Sequence, residues 1–388
     1  MKTSYKSNIE SISPKDWNSL NETEFPFSDH AFVSSLEESY SVGLDSGWIP
    51  CHITLWQKKQ LEGAICLYEK NNSYGEYIFD WAWANAYKNH GLNYYPKLVS
   101  TIPFTPATGR KLLVRQKEDF KKVQKKLILE AINKMRKRKC SSLHFLFIDK
   151  DEISIFEKMG FIIRHSFQFH WKNNNYNNFE DFLANLKRKR RKEILRERNQ
   201  IKQQRIRIEI LEGDEIVPEK MLRMYQFYMS TIYKKWGQSY LTVDFFQKIY
   251  KKMKKNLLLV LAYDKKGDCI AGSINFKKGN HLYGRYWGCN KEYKGLHFEL
   301  CYYQQIEYAI RKKIKLFEAG AQGDHKINRG FLPEKTYSAH WLENEDFRYS
   351  ISKFVENEKI SISKGFEEFI PHSPYKDNAV FLSSGDLS

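Results

Sequence analysis

The chain has 388 residues, and at about 100 to 200 residues per domain this length predicts two domains. Aromatic residues make up 15% of the sequence, which argues against a chain that is disordered throughout. The start of the chain is polar, and the longest apolar run, Leu257–Tyr263, is far shorter than the roughly 20 residues of a membrane-spanning helix. We therefore expect a cytoplasmic protein without a transmembrane segment, in which this run is a buried strand.

The cysteines give no sign of a metal site. There are six of them, they form no C-x-x-C pair, and none lies at ligand spacing from a histidine. We therefore predict free thiols and no metal.

Two parts of the chain resemble each other. Residues 63–65 and 74–77 read Gly-Ala-Ile and Tyr-Gly-Glu-Tyr, and residues 272–274 and 283–286 read Gly-Ser-Ile and Tyr-Gly-Arg-Tyr at the same spacing. Each copy is predicted to lie on adjacent strands and is followed by an amphipathic helix, which in the first half has Leu127, Ala131 and Met135 at helical spacing, and by a further strand. This order predicts an α+β fold with two similar domains, at residues 1–172 and 173–388.

Two carboxylates stand in the first copy. In the predicted strand from Tyr74 to Trp83, Glu76 and Asp80 share one face. They could bind a cationic acceptor, or they could pair with Lys97 or Arg110.

A basic segment separates the two copies. Residues 186–207 contain eleven Lys or Arg against Glu193 and Glu197, and they supply half of the net charge of +18. Because residues 179–204 contain no Pro or Gly, we predict one helix with cations around most of its circumference. Such a helix either connects the domains in solvent or contacts the phosphates of an anionic partner such as tRNA. The candidate contacts are Lys187, Arg188, Lys189, Arg190, Arg191 and Lys192.

The densest group of functional side chains follows a short apolar strand, between Glu318 and Arg329. It contains Gln322, Asp324, His325 and Lys326. A connecting loop needs Gly, Asn or Asp for backbone reasons but has no need of Gln, His, Lys and Arg together, so we predict that this loop carries the chemistry.

Several long motifs resemble those of a known family. The sequence FEKMGF at 156–161 resembles the end of a GNAT acyltransferase domain, and two tandem GNAT-like halves around a basic helix resemble the Fem-type transferases. The segments SYGEYIFDWAWANAY, YYPKL, PFTPATGRKLL, YGRYWGC, LHFE and GAQGDHKINRGF resemble the Fem-like family often labelled as peptidoglycan biosynthesis proteins. The resemblance implies a GNAT-type fold and transfer of an acyl or aminoacyl group to an amine-bearing acceptor.

The resemblance also suggests roles for side chains in the second half. Lys326 matches the Fem-type lysine and is expected to stabilise an oxyanion or a phosphate. Arg329 and Arg285 would support it, and His325, which titrates near neutral pH, could act as the base. Glu299 and Glu318 are alternatives for binding or deprotonating the amine. The remaining candidates for contact with substrate are Tyr286, His297, Gln322 and Asp324.

The donor stays open at this point. Neither half carries the Gln/Arg-x-x-Gly-x-Gly/Ala loop with which GNAT enzymes hold the pyrophosphate of CoA. Aminoacyl-tRNA, which the Fem-type resemblance implies, and acyl-CoA are the two candidates. A non-catalytic protein that binds RNA or a membrane surface on a GNAT scaffold is the alternative function.

Overall fold

The computed structural model describes residues 1–21, 23–234, 237–320 and 323–376. The chain divides into two compact units. Unit 1 contains residues 1–166 and 336–364, and unit 2 contains residues 167–335 and those from 365 onwards. The division into domains at residue 172 stays a prediction, and the compact units differ from it because residues 336–364 belong to unit 1.

Unit 1 combines short strands with helices. Its strands are β1 (Lys2–Lys6), β2 (Trp48–Pro50), β3 (His52–Gln57), β4 (Gln60–Ile65), β5 (Tyr68–Lys70), β6 (Lys97–Ser100), β7 (Leu113–Val114) and β8 (Ser142–Ile148). Its helices are α1 (Pro14–Asn18), α2 (His30–Glu38), α3 (Trp81–Asn89), α4 (Phe120–Lys137) and α5 (Ile153–Lys158).

Three elements contribute residues to both units, namely β9 (Ile162–Lys172), β15 (Leu332–Leu342) and α12 (Glu345–Phe369). In unit 1, β1, β3, β4 and β7 form an antiparallel sheet. The other strands have the order β15-β8-β6-β5-β2, in which β6 and β8 are parallel. The core lies under α4, whose Leu127, Ala131 and Met135 are buried at helical spacing, as the sequence predicted.

Unit 2 holds the remaining elements. Its helices are α6 (Phe179–Ala184), α7 (Arg188–Gln203), α8 (Pro218–Lys234), α9 (Val243–Met253), α10 (Leu296–Phe298) and α11 (Gln304–Arg311). Its strands are β10 (Arg207–Glu212), β11 (Leu257–Tyr263), β12 (Cys269–Lys278), β13 (His281–Cys289) and β14 (Leu316–Glu318). They have the order β10-β11-β12-β13-β14-β9, and only β13 and β14 are parallel. All residues of β11 are buried, which confirms the strand predicted from its apolar run.

The predicted strand from Tyr74 to Trp83 is wrong. Gly75 and Tyr77 have positive φ angles of 79° and 63°, which end any extended conformation, and α3 begins at Trp81. The alanines of α3 favour a helix, and Trp83 and Tyr87, four residues apart, are buried on one face.

The single basic helix predicted for residues 179–204 is also wrong. The chain leaves the helical conformation between α6 and α7, where Leu186 forms an isolated bridge with Tyr375. Moreover, α7 is not surrounded by solvent, because Ile194 and Ile201 are fully buried in unit 2. Two isoleucines seven residues apart give the helix one apolar stripe, which is enough for it to pack.

Candidate active site

A β-bulge shapes the central strands of unit 2. Ile274 of β12 pairs with Tyr286 of β13, but the next residue, Asn275, pairs with Gly284. Arg285 is therefore an extra residue on β13. Bulges re-aim side chains and are enriched beside active sites.

Next to the bulge, β13 and β14 part. Their parallel register runs from His281 opposite Leu316 to Tyr283 opposite Glu318, whereas β13 continues to Cys289. A cleft of about 100 Å³ opens at this point. Its lining residues are Ser273, Asn275, Gly284, Arg285, Tyr286, Trp287, His297, Cys301, Tyr302 and Ala319. The cleft thus brings together three residues predicted from sequence as substrate contacts, Arg285, Tyr286 and His297.

The far side of the cleft is a turn of π-helix. Residues Glu299–Tyr303 adopt this conformation between α10 and α11. The carbonyl of Leu300 accepts hydrogen bonds from the Ser273 hydroxyl, at 2.6 Å, and from the Gln305 side chain. The Gln305 amide also donates to Ser273 Oγ at 3.1 Å. These buried polar groups fix the π-turn, and such turns are frequent at functional sites.

Tyr302 connects the π-turn to the loop that the sequence singled out. That loop is a 3₁₀ helix, Asp324–Arg329, and Nε2 of its His325 lies 2.9 Å from the Tyr302 hydroxyl. Burial raises the pKa of Tyr302 well above its usual value, so the hydroxyl stays protonated at neutral pH. His325 is exposed, and the pair therefore joins a buried proton to an exposed imidazole.

Lys326 is buried next to this pair, with only 1% of its surface exposed. Its Nζ donates a hydrogen bond of 2.7 Å to the carbonyl of Gly320. Burial lowers the pKa of Lys326 to about 8, which leaves the ammonium charged at neutral pH but easier to deprotonate than an exposed lysine.

Comparisons with known proteins identify the family of the chain. Residues 8–377 match the FemAB-like family model, described as peptidoglycan biosynthesis/recognition. The chain belongs to the FemAB-like family. Among solved structures it is similar to FemX, with a TM-score of 0.54 and 11% identity over 91% of this chain and 100% of that one. The family predicted from sequence is confirmed.

Two further solved structures are similar to this FemAB-like chain. One is the C-terminal domain of a putative lysylphosphatidylglycerol synthetase from Agrobacterium fabrum, with a TM-score of 0.53 and 10% identity over 87% of this chain and 95% of that one. The other is a tandem GNAT protein from the clavulanic acid biosynthesis pathway, with a TM-score of 0.44 and 10% identity over 88% of this chain and 99% of that one. No curated protein matches. At these identities FemX and the synthetase domain bear on the fold alone, and the predicted α+β class is confirmed.

Two other predicted residues of the FemAB-like chain are held by α7. Arg198 lies 3.2 Å from Glu299, and Glu197 lies 2.7 Å from Arg329. Burial raises the pKa of Glu299 even though Arg198 opposes the shift. Arg329 also donates to the His325 carbonyl at 2.8 Å. Glu299 therefore holds the π-turn against α7, and Arg329 holds the 3₁₀ helix against it. The contacts with substrate that were predicted for Glu299 and Arg329 would have to compete with these bonds.

The other predicted residues of the loop region have different positions. Glu318 ends β14, is buried, and lies 3.8 Å from Nε2 of His170. Burial lowers the pKa of His170 to about 3, so this imidazole is neutral and the contact is not an ion pair at neutral pH. Asp324 begins the 3₁₀ helix, and Gln322 lies outside the described residues.

The carboxylates predicted in the first half lie in unit 1 and surround a lysine. Nζ of Lys97 lies 2.8 Å from Glu76 Oε2 and 2.5 Å from Asp80 Oδ2. Burial raises the pKa of Glu76 to about 7. For Asp80 burial also raises the pKa, but the Lys97 ammonium outweighs it and the result is about 2. Of the two partners expected for these carboxylates, Lys97 rather than Arg110 is in contact, and its ammonium lies where a cationic acceptor was expected.

The basic end of α7 is open to solvent. Arg188, Lys189 and Lys192 are exposed, and Lys187, Arg190 and Arg191 are half-buried. Arg190 pairs with Glu193 at 3.0 Å, and α7 has no acidic residue in its first turn. Cations at a helix N-terminus oppose the helix dipole, so this end of α7 carries an unusually strong positive potential.

The described residues contain neither a cluster of metal ligands nor a membrane-spanning helix. Within the described ranges no three His, Cys, Asp or Glu side chains lie close enough to hold a metal ion. In the same part of the chain, no helix has the length and apolarity needed to span a membrane. The six cysteines are free thiols, as predicted.

Several residues of the cleft were not predicted from the sequence, namely Ser273, Asn275, Trp287 and Tyr302. The available signal was the run Ser273 to Asn275, which places two polar side chains within an otherwise apolar strand. Buried polar groups of this kind need partners, and the Gln305 side chain is a partner that both of them share.

Proposed function

We propose that this FemAB-like chain is an acyl or aminoacyl transferase that forms an amide on an amine-bearing acceptor of peptidoglycan biosynthesis. The observation that carries the proposal is the opening between β13 and β14, which lies beside the Arg285 bulge and is bordered by Tyr302. A planar ester or thioester fits between diverging strands, where backbone and side-chain donors can approach its carbonyl oxygen.

The reaction requires a neutral amine, stabilisation of an oxyanion and a proton for the leaving group. The amine nitrogen attacks the acyl carbon, the bond from that carbon to the donor oxygen or sulfur breaks, and the amine loses one proton while the leaving group gains one. We assign the proton transfers to the Tyr302–His325 pair, since it joins the cleft to an exposed imidazole. Lys326 adds positive charge on the loop side and holds Gly320 in place.

For the donor we propose aminoacyl-tRNA, which would contact the exposed basic end of α7. Farther along the same helix, Arg198 and Glu197 contact Glu299 of the π-turn and Arg329 of the 3₁₀ helix, so α7 joins its basic end to the two elements that carry Tyr302 and His325. Acyl-CoA is the second candidate, and it is favoured only by the GNAT-like order of strands and helices.

A transfer assay tests the proposal. The purified chain is incubated with aminoacyl-tRNA or acyl-CoA and an amine-bearing peptidoglycan precursor, and amide product is measured by mass spectrometry. We expect product with aminoacyl-tRNA, a loss of at least about 100-fold in Lys326→Ala, and normal activity in Lys291→Ala, a matched exposed lysine. Product with acyl-CoA but not with aminoacyl-tRNA would show that acyl-CoA is the donor. Full activity of Lys326→Ala would remove this residue from the mechanism.

Binding is tested separately. Reversal of Lys187, Arg188, Lys189 and Lys192 to Glu should abolish tRNA binding at low salt, and reversal of the exposed Lys251 and Lys252 of α9 should not. If tRNA binds and no donor gives product, the chain is a binding protein on a GNAT-like scaffold. If tRNA binding survives the reversal on α7, this helix is not the contact.

A further inference from the structure

A second cavity adjoins the cleft in unit 2. It has a volume of about 360 Å³. Trp287 and His297 line both spaces, and their rings lie 4.7 Å apart. A group bound in the cleft therefore lies beside the mouth of this cavity. Its volume falls within the range of about 300 to 1,000 Å³ that is usual for small-molecule sites.

The walls of the cavity are mainly apolar. Leu296 and Phe298 of α10, Tyr293 and Cys289 line it together with Trp287. Thr231 also lines it, but its hydroxyl already donates to the Trp287 carbonyl at 2.7 Å. The chemistry of these walls suits a hydrocarbon or aromatic group and offers little to a sugar or a phosphate.

Charge at the rim points the same way. Among the described residues that line the cavity, Lys234 and Glu292 are the charged ones, and they pair with each other at 2.9 Å. A pyrophosphate would meet the Glu292 carboxylate and a cation that is already neutralised. The cavity thus disfavours the phosphates of a CoA donor and favours an uncharged apolar ligand.

From these observations we infer that the cavity receives the side chain of the transferred acyl group, and that this side chain is large and apolar, of the size of leucine or phenylalanine. The inference rests on the proposed transferase function and deepens it, because it names the class of acyl group. Glycyl and alanyl donors would leave the cavity empty, and each unfilled methylene in such a pocket costs about 10-fold or more in discrimination.

Binding of small esters tests the cavity without any transfer. The methyl esters of phenylalanine, leucine and glycine mimic the aminoacyl end of a donor, and the indole N–H signal of Trp287, assigned with Trp287→Phe, reports on the cavity by NMR. We expect the phenylalanine and leucine esters to shift this signal and to bind at least about 100-fold more tightly than the glycine ester. Equal binding of the three esters would overturn the inference.

A variant with a filled cavity is the second test of the inference. Cys289→Phe should remove binding of the large esters, whereas Leu195→Phe, on the exposed face of α7, should not. Should Cys289→Phe fail to fold, Tyr293→Ala enlarges the cavity instead and should shift preference further toward phenylalanine. Unchanged ester binding in the folded variant would overturn the inference.

Transfer with glycyl, alanyl, leucyl and phenylalanyl donors separates the inference from the proposed function. Transfer that is equal for all four donors overturns the inference and leaves the function standing. Selective binding of the phenylalanine ester with no transfer from any donor overturns the function and supports the apolar cavity.

Discussion

The hydroxyl of Tyr302 lies 2.9 Å from Nε2 of His325, and this contact joins the π-turn to the 3₁₀ helix across 23 positions of sequence. The tyrosine lines the cleft, and the histidine is exposed. A proton on the tyrosine can therefore be exchanged with solvent through the imidazole, although the hydroxyl itself is buried.

Removal of this hydroxyl is the first test of the site. Tyr302→Phe keeps the ring that packs against Phe331 at 5.4 Å and deletes only the contact to His325. We expect transfer to fall by about 100-fold or more, as for loss of a general acid or base, with little change in KM. The matched control is Tyr308→Phe, which removes a buried hydroxyl that contacts Glu212 instead. Equal losses in the two variants would contradict a specific role for Tyr302.

Lys326 should reduce stability while it supports activity. Its pKa is lowered from 10.5 to about 8, so below pH 8 the folded state bears the full cost of a buried ammonium, and this cost is relieved as pH rises toward 10.5. We expect Lys326→Met to raise the free energy of unfolding at pH 7 by on the order of 1 kcal/mol after loss of the bond to Gly320, and to abolish transfer. Urea unfolding at pH 7 and pH 10 measures this. A gain that does not shrink at pH 10 would argue against the charge as its cause.

Lys97 should be essential for the stability of unit 1. Its ammonium lies between two buried carboxylates, and Lys97→Met leaves Glu76 and Asp80 without that cation. We expect a loss of about 3 to 5 kcal/mol in the free energy of unfolding, as for other broken buried pairs. Adding Glu76→Gln and Asp80→Asn should restore much of the stability. For comparison, Lys353→Met breaks an exposed pair with Glu356 and should change stability by less than about 1 kcal/mol.

A pair of buried histidines should make unit 1 sensitive to acid. Nδ1 of His144 lies 2.8 Å from Nδ1 of His340, so one proton is shared between them. Burial, aided by Lys97, lowers the pKa of His144 to about 3, and burial also lowers that of His340. Because the unfolded chain binds these protons more readily, the stabilisation is complete above about pH 6.5 and is lost as pH falls toward 3.

The histidine pair can be tested by urea unfolding between pH 7 and pH 4. We expect His340→Gln to have a lower free energy of unfolding than the natural chain at pH 7. As pH falls, this free energy should decrease less steeply in the variant, by about 1.4 kcal/mol per pH unit for each titrating group removed. The exposed His90→Gln serves as a control and should keep the original slope. Parallel curves for His340→Gln and the natural chain would show that the pair does not titrate in this range.

The features that could be predicted from the sequence were those set by local pattern. The buried strand β11 follows from its apolar run, and the buried face of α4 follows from the helical spacing of Leu127, Ala131 and Met135. The motif around Lys326 was found because its residue types are unusual for a loop. Its conformation, a 3₁₀ helix, was not predicted.

What the sequence did not reveal depends on distant partners. Nothing near Glu197 in the sequence indicates that it will pair with Arg329, 132 positions away. The alternation of polar and aromatic residues around Glu76 is typical of a strand, but the positive φ of Tyr77 excludes one. The two isoleucines of α7 were hidden among cations, although they decide that the helix packs. Tertiary contacts overrode the local pattern in each case.

The composition of unit 1 has a consequence for how the chain is made. β8 pairs with β15, and His144 with His340, so unit 1 is completed by residues that are synthesised after residues 167–335 of unit 2. During synthesis β8 therefore waits with one edge uncovered while about 190 further residues are added, and at roughly 5 to 20 residues per second this wait lasts about 10 to 40 seconds. A nascent chain of this length should be a substrate for holding chaperones, and release of a truncated first half should lead to aggregation.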